Sequence, residues 1–203
     1  MKPPMRLTSV FELGMVFAVF FLAFAIAWPL RADVIEKGSA SGTFPEHCGL
    51  GITYCNTYIP NNNIQGFDVS GFMLIDPRRV WPHIPLDSLR YKVGCNVGLT
   101  VTPKVRGLIT AGIILVYYLG DFGDHHIRPF LQGGSHVIYD DFQVPGQGLR
   151  LNFNPQAGVG VQFNIFSGQT FYWLFSVKHI SNAGIKAENA GVNAVTFTIG
   201  RLF

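Results

Sequence analysis

The feature that most constrains this chain is the alternation of its last twelve residues. Four apolar side chains alternate there with small or polar ones, and they are Val195, Phe197, Ile199 and Phe203. Because successive side chains of a strand point to opposite faces, one face is apolar and the other is small or polar. A membrane barrel strand has this pattern, with lipid outside and a packed interior. One face of a β-sandwich produces the same alternation, so both architectures stay open at this point.

The rest of the chain after about residue 33 also favours strands. We find no convincing amphipathic helix there, and residues 34–63 are mostly loop-like. Strand candidates separated by turn residues follow at 67–75, 91–102, 108–119, 127–139, 149–153, 156–166, 171–180 and 192–203. Several are about ten residues long, as a tilted membrane strand requires. The sequence therefore predicts an all-β fold, a small antiparallel β-barrel of about eight strands.

The N-terminus carries a targeting or membrane segment. Lys2 and Arg6 precede an almost wholly apolar run at residues 13–30, and small-residue cleavage sites follow. A secretory signal peptide has these parts. The run also approaches the roughly 20 residues that span a bilayer, so a retained signal-anchor helix is the alternative. We divide the chain into this segment, residues 1–32, and a β-barrel domain, residues 33–203, that leaves the cytoplasm.

Composition excludes some classes of partner. Hydrophobic residues make up 48% of the chain and charged residues 13%, which is too apolar for an ordinary soluble domain. A net charge of +3 argues against a nucleic-acid partner. In an oxidising compartment Cys48 and Cys55 would be able to close a small loop, and the alternative is that all three cysteines are buried thiols. No metal site is predicted.

A possible catalytic pair lies near the C-terminus. His179 and Ser181 are two residues apart, so on a strand they face the same way. The same face of the preceding strand carries a large apolar stripe, which consists of Phe171, Trp173, Phe175 and Val177. A base and a nucleophile at the end of such a stripe suit a water-insoluble acyl ester, with the stripe along the acyl chain.

The segment from His179 to Asn193 (HISNAGIKAENAGVN) resembles the signature of the lipid A 3-O-deacylase family, the PagL-like acyloxyacyl hydrolases. Three other segments are also similar to that family: RPFLQGG at 128–134, NFNPQAGVG at 152–160 and TIGRLF at 198–203. The resemblance covers roughly residues 108–203. It implies an eight-stranded outer-membrane barrel that hydrolyses the ester-linked acyl chain at position 3 of lipid A.

The resemblance also implies a role for each matching residue. His179 is the base, Ser181 is the nucleophile, and Asn182 donates to the oxyanion beside the Ala183 and Gly184 amides. The family has an acidic residue that orients the imidazole, whereas this chain has Asn193 at that position. An Asn carbonyl can accept the imidazole hydrogen but stabilises imidazolium less well than a carboxylate does. Glu188 is the alternative acid.

Two functions of different classes follow. The first is a deacylase of lipid A or a related acylated membrane lipid, which acts from the outer membrane without a cofactor. The second is a catalytically lost barrel that is a structural subunit of a larger membrane protein complex. In that case the retained N-terminal helix would anchor it to the inner membrane, with the barrel on the periplasmic side and membrane proteins as partners.

Overall fold

The fold is a closed barrel of eight strands, each antiparallel to its neighbours. The computed structural model describes residues 46–59, 63–83, 86–123, 127–142, 144–165 and 168–203. Its strands are β1 (His47–Ile59), β2 (Gln65–Ile75), β3 (Leu89–Thr102), β4 (Arg106–Tyr118), β5 (Ile127–Asp140), β6 (Leu151–Ile165), β7 (Gln169–Ile180) and β8 (Val192–Leu202). A short 3-10 helix, Pro77–Arg79, lies between β2 and β3. Strand β1 pairs with β8, so the sheet has no free edge.

The predicted strand number is correct, but two errors in the prediction offset each other. Strand β1 lies in the segment predicted to be mostly loop. The prediction missed this strand because its inward positions Gly49, Gly51 and Thr53 are residues that are common in turns. The candidates at 149–153 and 156–166 are one strand, β6, which continues through Pro155. Pro155 lies opposite Ser135 of β5. On its other side the hydrogen-bonded pairing with β7 is interrupted at Pro155, so the missing N–H of proline is tolerated there.

The two ends of the barrel differ. The start of β1 and the end of β8 lie at one end, which we call the terminal end. The opposite end, which we call the site end, carries the connections that follow β1, β3, β5 and β7. The connections after β5 (residues 141–150) and after β7 (residues 181–191) are the longest at the site end. His179 and Ser181 therefore lie at the end of the barrel away from both chain ends of the domain.

The interior has three layers. An apolar cluster fills the terminal end, and it consists of Phe72, Leu74, Val116, Tyr118, Phe130, Tyr172, Leu174 and Leu202. A second apolar cluster fills the site end, and it consists of Ile64, Ile138, Val144, Ile180 and Val192. Buried polar side chains lie between them, among them Thr53, Ser70, Gln132 and Thr198. Side chains thus fill the lumen, as expected of an eight-stranded barrel.

Glycine makes room for large inward side chains. A Cβ at Gly200 would lie 2.4 Å from the Tyr172 ring, and one at Gly51 would lie 2.3 Å from the Tyr172 hydroxyl oxygen. A Cβ at Gly160 would lie 2.3 Å from the Phe130 ring. Close packing in a narrow barrel therefore explains several of the chain's 23 glycines.

The cysteine loop suggested by the sequence does not form. Cys48 and Cys55 are free and lie seven residues apart on the same strand, roughly 23 Å at the usual rise per residue. That separation is far beyond the reach of a disulfide. No helix within the described residues is long and apolar enough to cross a membrane, and the predicted segment 1–32 lies outside those residues.

Candidate active site

His179 lies at the end of β7 on the outer surface of the barrel. The apolar stripe shares that face: the exposed fractions of Trp173, Phe175 and Val177 are 53%, 50% and 44%, and Phe171 is half-buried. The predicted common face of the histidine and the stripe is therefore confirmed. Val177 and Phe175 lie beside Val195 and Phe197 of β8, so the apolar surface extends across more than one strand.

Asn193 contacts the imidazole directly. The β7–β8 register places it opposite His179, and 2.5 Å separate His179 Nδ1 from Asn193 Oδ1. With Asn193 Oδ1 as the acceptor, the hydrogen of this contact lies on Nδ1. This tautomer leaves Nε2 with a lone pair, which is the state that a general base requires.

Two residues that sequence reasoning did not select define the space around His179. A Cβ on Gly191 would lie 2.6 Å from His179 Cε1, so only glycine leaves room for this ring position. Pro155 stands opposite His179 in the β6–β7 register, between the pairs Gln156–Lys178 and Phe153–Ser181. Since proline lacks an N–H, it gives the His179 carbonyl no ladder hydrogen bond.

Ser181 lies just beyond β7 and is held by its backbone. Its N–H donates to the Phe153 carbonyl at 3.1 Å, and its carbonyl accepts from the Phe153 N–H at 2.8 Å. This reciprocal pair continues the β6–β7 register past the gap at Pro155. Ser181 therefore keeps the strand alternation, two residues after His179 and on the same face.

Asn182 points to the inside and organises the loop. Its side chain is fully buried, and Nδ2 donates to the carbonyls of Gln147 at 3.2 Å and Glu188 at 2.8 Å. Its Oδ1 accepts from the N–H groups of Gly184 at 2.9 Å and Lys186 at 3.5 Å. Both amide hydrogens are thus engaged with backbone, so the predicted side-chain donation to an oxyanion would require this loop to rearrange.

The predicted backbone donors form a tight turn. Ala183 and Gly184 have φ values of +54° and +79°, and the Ile185 N–H donates to the Asn182 carbonyl at 3.1 Å. Two consecutive positive φ angles are the mark of a type I′ turn. A left-handed conformation is uncommon for alanine, and such strain is often found at functional sites. The Gly184 N–H is used by Asn182, whereas the Ala183 residue is exposed.

Glu188 is engaged elsewhere. Its carboxylate lies 3.7 Å from Lys186 Nζ, and its side chain is 59% exposed. The structure therefore pairs His179 with Asn193 and Glu188 with Lys186. Glu188 as the orienting acid stays a sequence prediction.

A buried polar network supports the loop that follows Ser181. Gln147 Nε2 and Asn152 Nδ2 donate to Asp140 Oδ2 at 3.4 and 3.3 Å, and Gln147 Oε1 accepts from the Val144 N–H at 3.0 Å. Asp140, Gln147 and Asn182 are all fully buried. The connection after β5 thus holds the connection after β7 through the contact between Gln147 and Asn182.

Comparison with known proteins decides the family. A family model described as lipid A 3-O-deacylase (PagL) matches residues 87–201, which is more than half of the chain. The chain belongs to the lipid A 3-O-deacylase (PagL) family. The match extends upstream of residue 108, where the resemblance in the sequence stopped. No curated protein matches the sequence.

Solved structures show the same fold. The crystal structure described as the outer membrane enzyme PagL is 21% identical, with a TM-score of 0.54, over 75% of this chain and 97% of that one. Neisserial surface protein A is 10% identical, with a TM-score of 0.58, over 77% of this chain and 94% of that one. At these identities the two structures show the fold of this chain and no more.

The described residues contain no cluster of three or more His, Cys, Asp or Glu side chains that would hold a metal ion. His125 and His126, the adjacent histidine pair in the sequence, lie outside the described residues. His179 contacts the amide of Asn193, and the hydroxyl-bearing Ser181 follows two residues later on the same face. Such groups perform acyl transfer with protein side chains alone.

Proposed function

We propose that this protein hydrolyses the ester-linked acyl chain at position 3 of lipid A, with Ser181 as nucleophile and His179 as base. The observation that carries the proposal is the contact between His179 Nδ1 and Asn193 Oδ1 on the outer surface, at the end of the apolar stripe. It holds the imidazole in the tautomer whose Nε2 accepts a proton. Family membership supplies the substrate class.

In the proposed reaction, His179 Nε2 takes the proton of Ser181 Oγ as that oxygen attacks the ester carbonyl. The tetrahedral intermediate collapses, the C–O bond to the sugar breaks, and His179 returns the proton to the departing sugar oxygen. Water, activated by the same imidazole, then hydrolyses the acyl-enzyme. The products are a free fatty acid and lipid A with a hydroxyl at position 3.

The developing oxyanion needs donors already in place. The exposed turn supplies the Ala183 N–H as the backbone candidate. The Gly184 N–H and the Asn182 side chain are candidates only if their hydrogen bonds within this loop are broken. Asn189 is a further candidate, because its exposed side chain uses only Oδ1, which accepts from the Asn182 N–H at 2.8 Å. Each such donor is worth on the order of 3 kcal/mol in related acyl-transfer sites.

The acyl chain would lie along Val177, Phe175, Trp173 and Phe171. Six residues of strand separate the first from the last, a length of roughly 20 Å. The stripe therefore extends from His179 along nearly the whole length of β7, across the part of the barrel wall that hydrocarbon surrounds. The proposal requires the site end of the barrel to lie at the leaflet that contains lipid A.

The test is incubation of the purified protein with hexa-acylated lipid A in detergent, followed by mass spectrometry of the lipid. We expect the loss of one hydroxyacyl chain with the wild type and no loss with Ser181→Ala. Ser135→Ala is the matched control, since Ser135 also lies on the outer face and pairs with Pro155. A folded wild-type barrel that leaves lipid A unchanged would favour the structural-subunit alternative, to which Asn193 in place of an acid already points.

A further inference from the structure

The polar layer of the lumen encloses a small cavity that the proposed reaction does not use. Its volume is about 30 Å³, and its lining includes Lys92, Gln132, His136, Gln156 and Lys178. Phe72 and Leu174 of the apolar cluster at the terminal end form part of its wall. At roughly 10–15 Å³ for each water-sized occupant, it has room for about two.

The charges of this layer do not balance. Lys178 Nζ lies 4.0 Å from Asp68 Oδ2, and Asn96 Nδ2 donates to Asp68 Oδ1 at 2.9 Å. Lys92 Nζ instead lies 4.3 Å from the centre of the Phe72 ring and 5.7 Å from that of Tyr172. Among the described residues no carboxylate pairs with Lys92. The layer therefore carries two ammonium groups and one carboxylate, an arrangement that is unfavourable away from bulk water.

Two amide groups in the cavity wall also lack partners. Gln156 Nε2 is buried and donates no hydrogen bond within the described residues, and Gln132 Oε1 accepts none. Buried polar atoms in native proteins nearly always have a partner, whether protein, water or ion. A cavity bordered by an uncompensated ammonium and an unused N–H donor is complementary to an anion, while the unused Gln132 oxygen suits a water molecule beside it.

We propose that this cavity binds a single small monovalent anion of the halide class, chloride under ordinary conditions, held by Lys92 and the Gln156 amide. The volume excludes sulfate and phosphate, which are larger than the two water-sized positions available. The anion neutralises the excess charge of Lys92 and Lys178 and satisfies the Gln156 donor. The site is independent of the hydrolase chemistry, since it lies inside the barrel and His179 lies outside.

The direct experiment is crystallisation of the full chain in sodium bromide and measurement of the anomalous signal of bromine. We expect one bromide peak between Lys92 and Gln156. In parallel, the thermal unfolding midpoint in detergent is compared in sodium chloride and in sodium gluconate at equal concentration, because gluconate is too large for the cavity. We expect a saturable rise of about 4 °C in chloride.

Lys92→Met retains the length of the side chain over the two rings but removes its charge, and it should lose both the bromide peak and the response to chloride. Lys104→Met, which changes an exposed lysine in the turn after β3, is the matched control and should respond like the wild type. If Lys92→Met fails to fold, the wild-type bromide measurement decides alone. An empty or water-filled cavity in bromide, with equal midpoints in both salts, would overturn the proposal, as would an unchanged peak in Lys92→Met.

Discussion

Replacement of Asn193 by aspartate is the sharpest test of the site. The 2.5 Å contact between His179 Nδ1 and Asn193 Oδ1 already has hydrogen-bond geometry, and aspartate has the same shape as asparagine. The substitution therefore adds a negative charge beside the imidazole with little change in position. It should stabilise the imidazolium that forms as Ser181 loses its proton, so we expect deacylation to become faster.

The size of the gain follows from where the contact lies. At about 4 Å between charge centres, the attraction is roughly 1 kcal/mol in water and roughly 4 kcal/mol at an effective dielectric constant of 20. His179 is exposed and Asn193 is half-buried, so the site lies between these limits. We therefore expect Asn193→Asp to raise kcat roughly 5-fold to 1,000-fold. The lower part of this range applies if water still solvates the His179–Asn193 contact in detergent. The roughly 10⁴-fold effect known for a buried serine-protease triad is an upper limit.

The assay follows release of the hydroxyacyl chain from lipid A by mass spectrometry, with initial rates measured for the wild type and for Asn193→Asp. Asn164→Asp, which adds the same charge on the exposed part of β6 near the terminal end, controls for the change in net charge. Ser181→Ala in the Asn193→Asp background should abolish any gain. Equal rates for Asn193→Asp and the wild type, with both barrels folded, would refute the idea that this contact supports the base.

Three other substitutions probe the surroundings of the site and the barrel rim. Gly191→Ala should lower deacylase activity about 100-fold without unfolding the barrel, because its Cβ would lie 2.6 Å from His179 Cε1; unchanged activity in the lipid assay would contradict the packing argument. Asn182→Ala should lower the free energy of unfolding by about 2–4 kcal/mol, since it leaves the buried Gln147 carbonyl and the part-buried Glu188 carbonyl without their donor; denaturant titration measures this. Hydrogen bonds from the Arg78 side chain hold the pKa of Asp76 below its ordinary value of 3.8. The stability due to this contact is therefore complete above about pH 4 and is lost as the pH falls through the lower folded-state pKa. Asp76→Asn should remove that part of the acid dependence in a comparison of unfolding midpoints between pH 2 and 6.

Alternation alone was sufficient to assign the faces of β7 and β8. It predicted that His179 shares its face with the apolar stripe and with Ser181, and the outward position of the stripe confirms it. The same alternation implies that Asn182 points inward, whereas the resemblance to the deacylase family implies a catalytic role for it. Strand boundaries were harder, because Gly49 and Gly51 of β1 and Pro155 of β6 are residues that usually interrupt strands. In the barrel the two glycines face the narrow lumen, and Pro155 lies where the hydrogen-bonded pairing of β6 with β7 is interrupted. Neither setting is visible in the sequence.

The sequence by itself predicted the all-β class, the apolar outer face of the last two strands and the resemblance to the family, because these depend on local periodicity and on a contiguous motif. Alternation left a β-sandwich open, and the pairing of β1 with β8 decided for a closed barrel. Only the tertiary structure decided which groups meet. Asn193 touches His179 because the β7–β8 register places two residues 14 positions apart opposite each other. Gln147 holds Asn182 across 35 positions, and Lys92 shares a cavity with Gln156 across half the barrel. Such contacts depend on strand register and on closure of the sheet, which are properties of the whole chain and not of any segment.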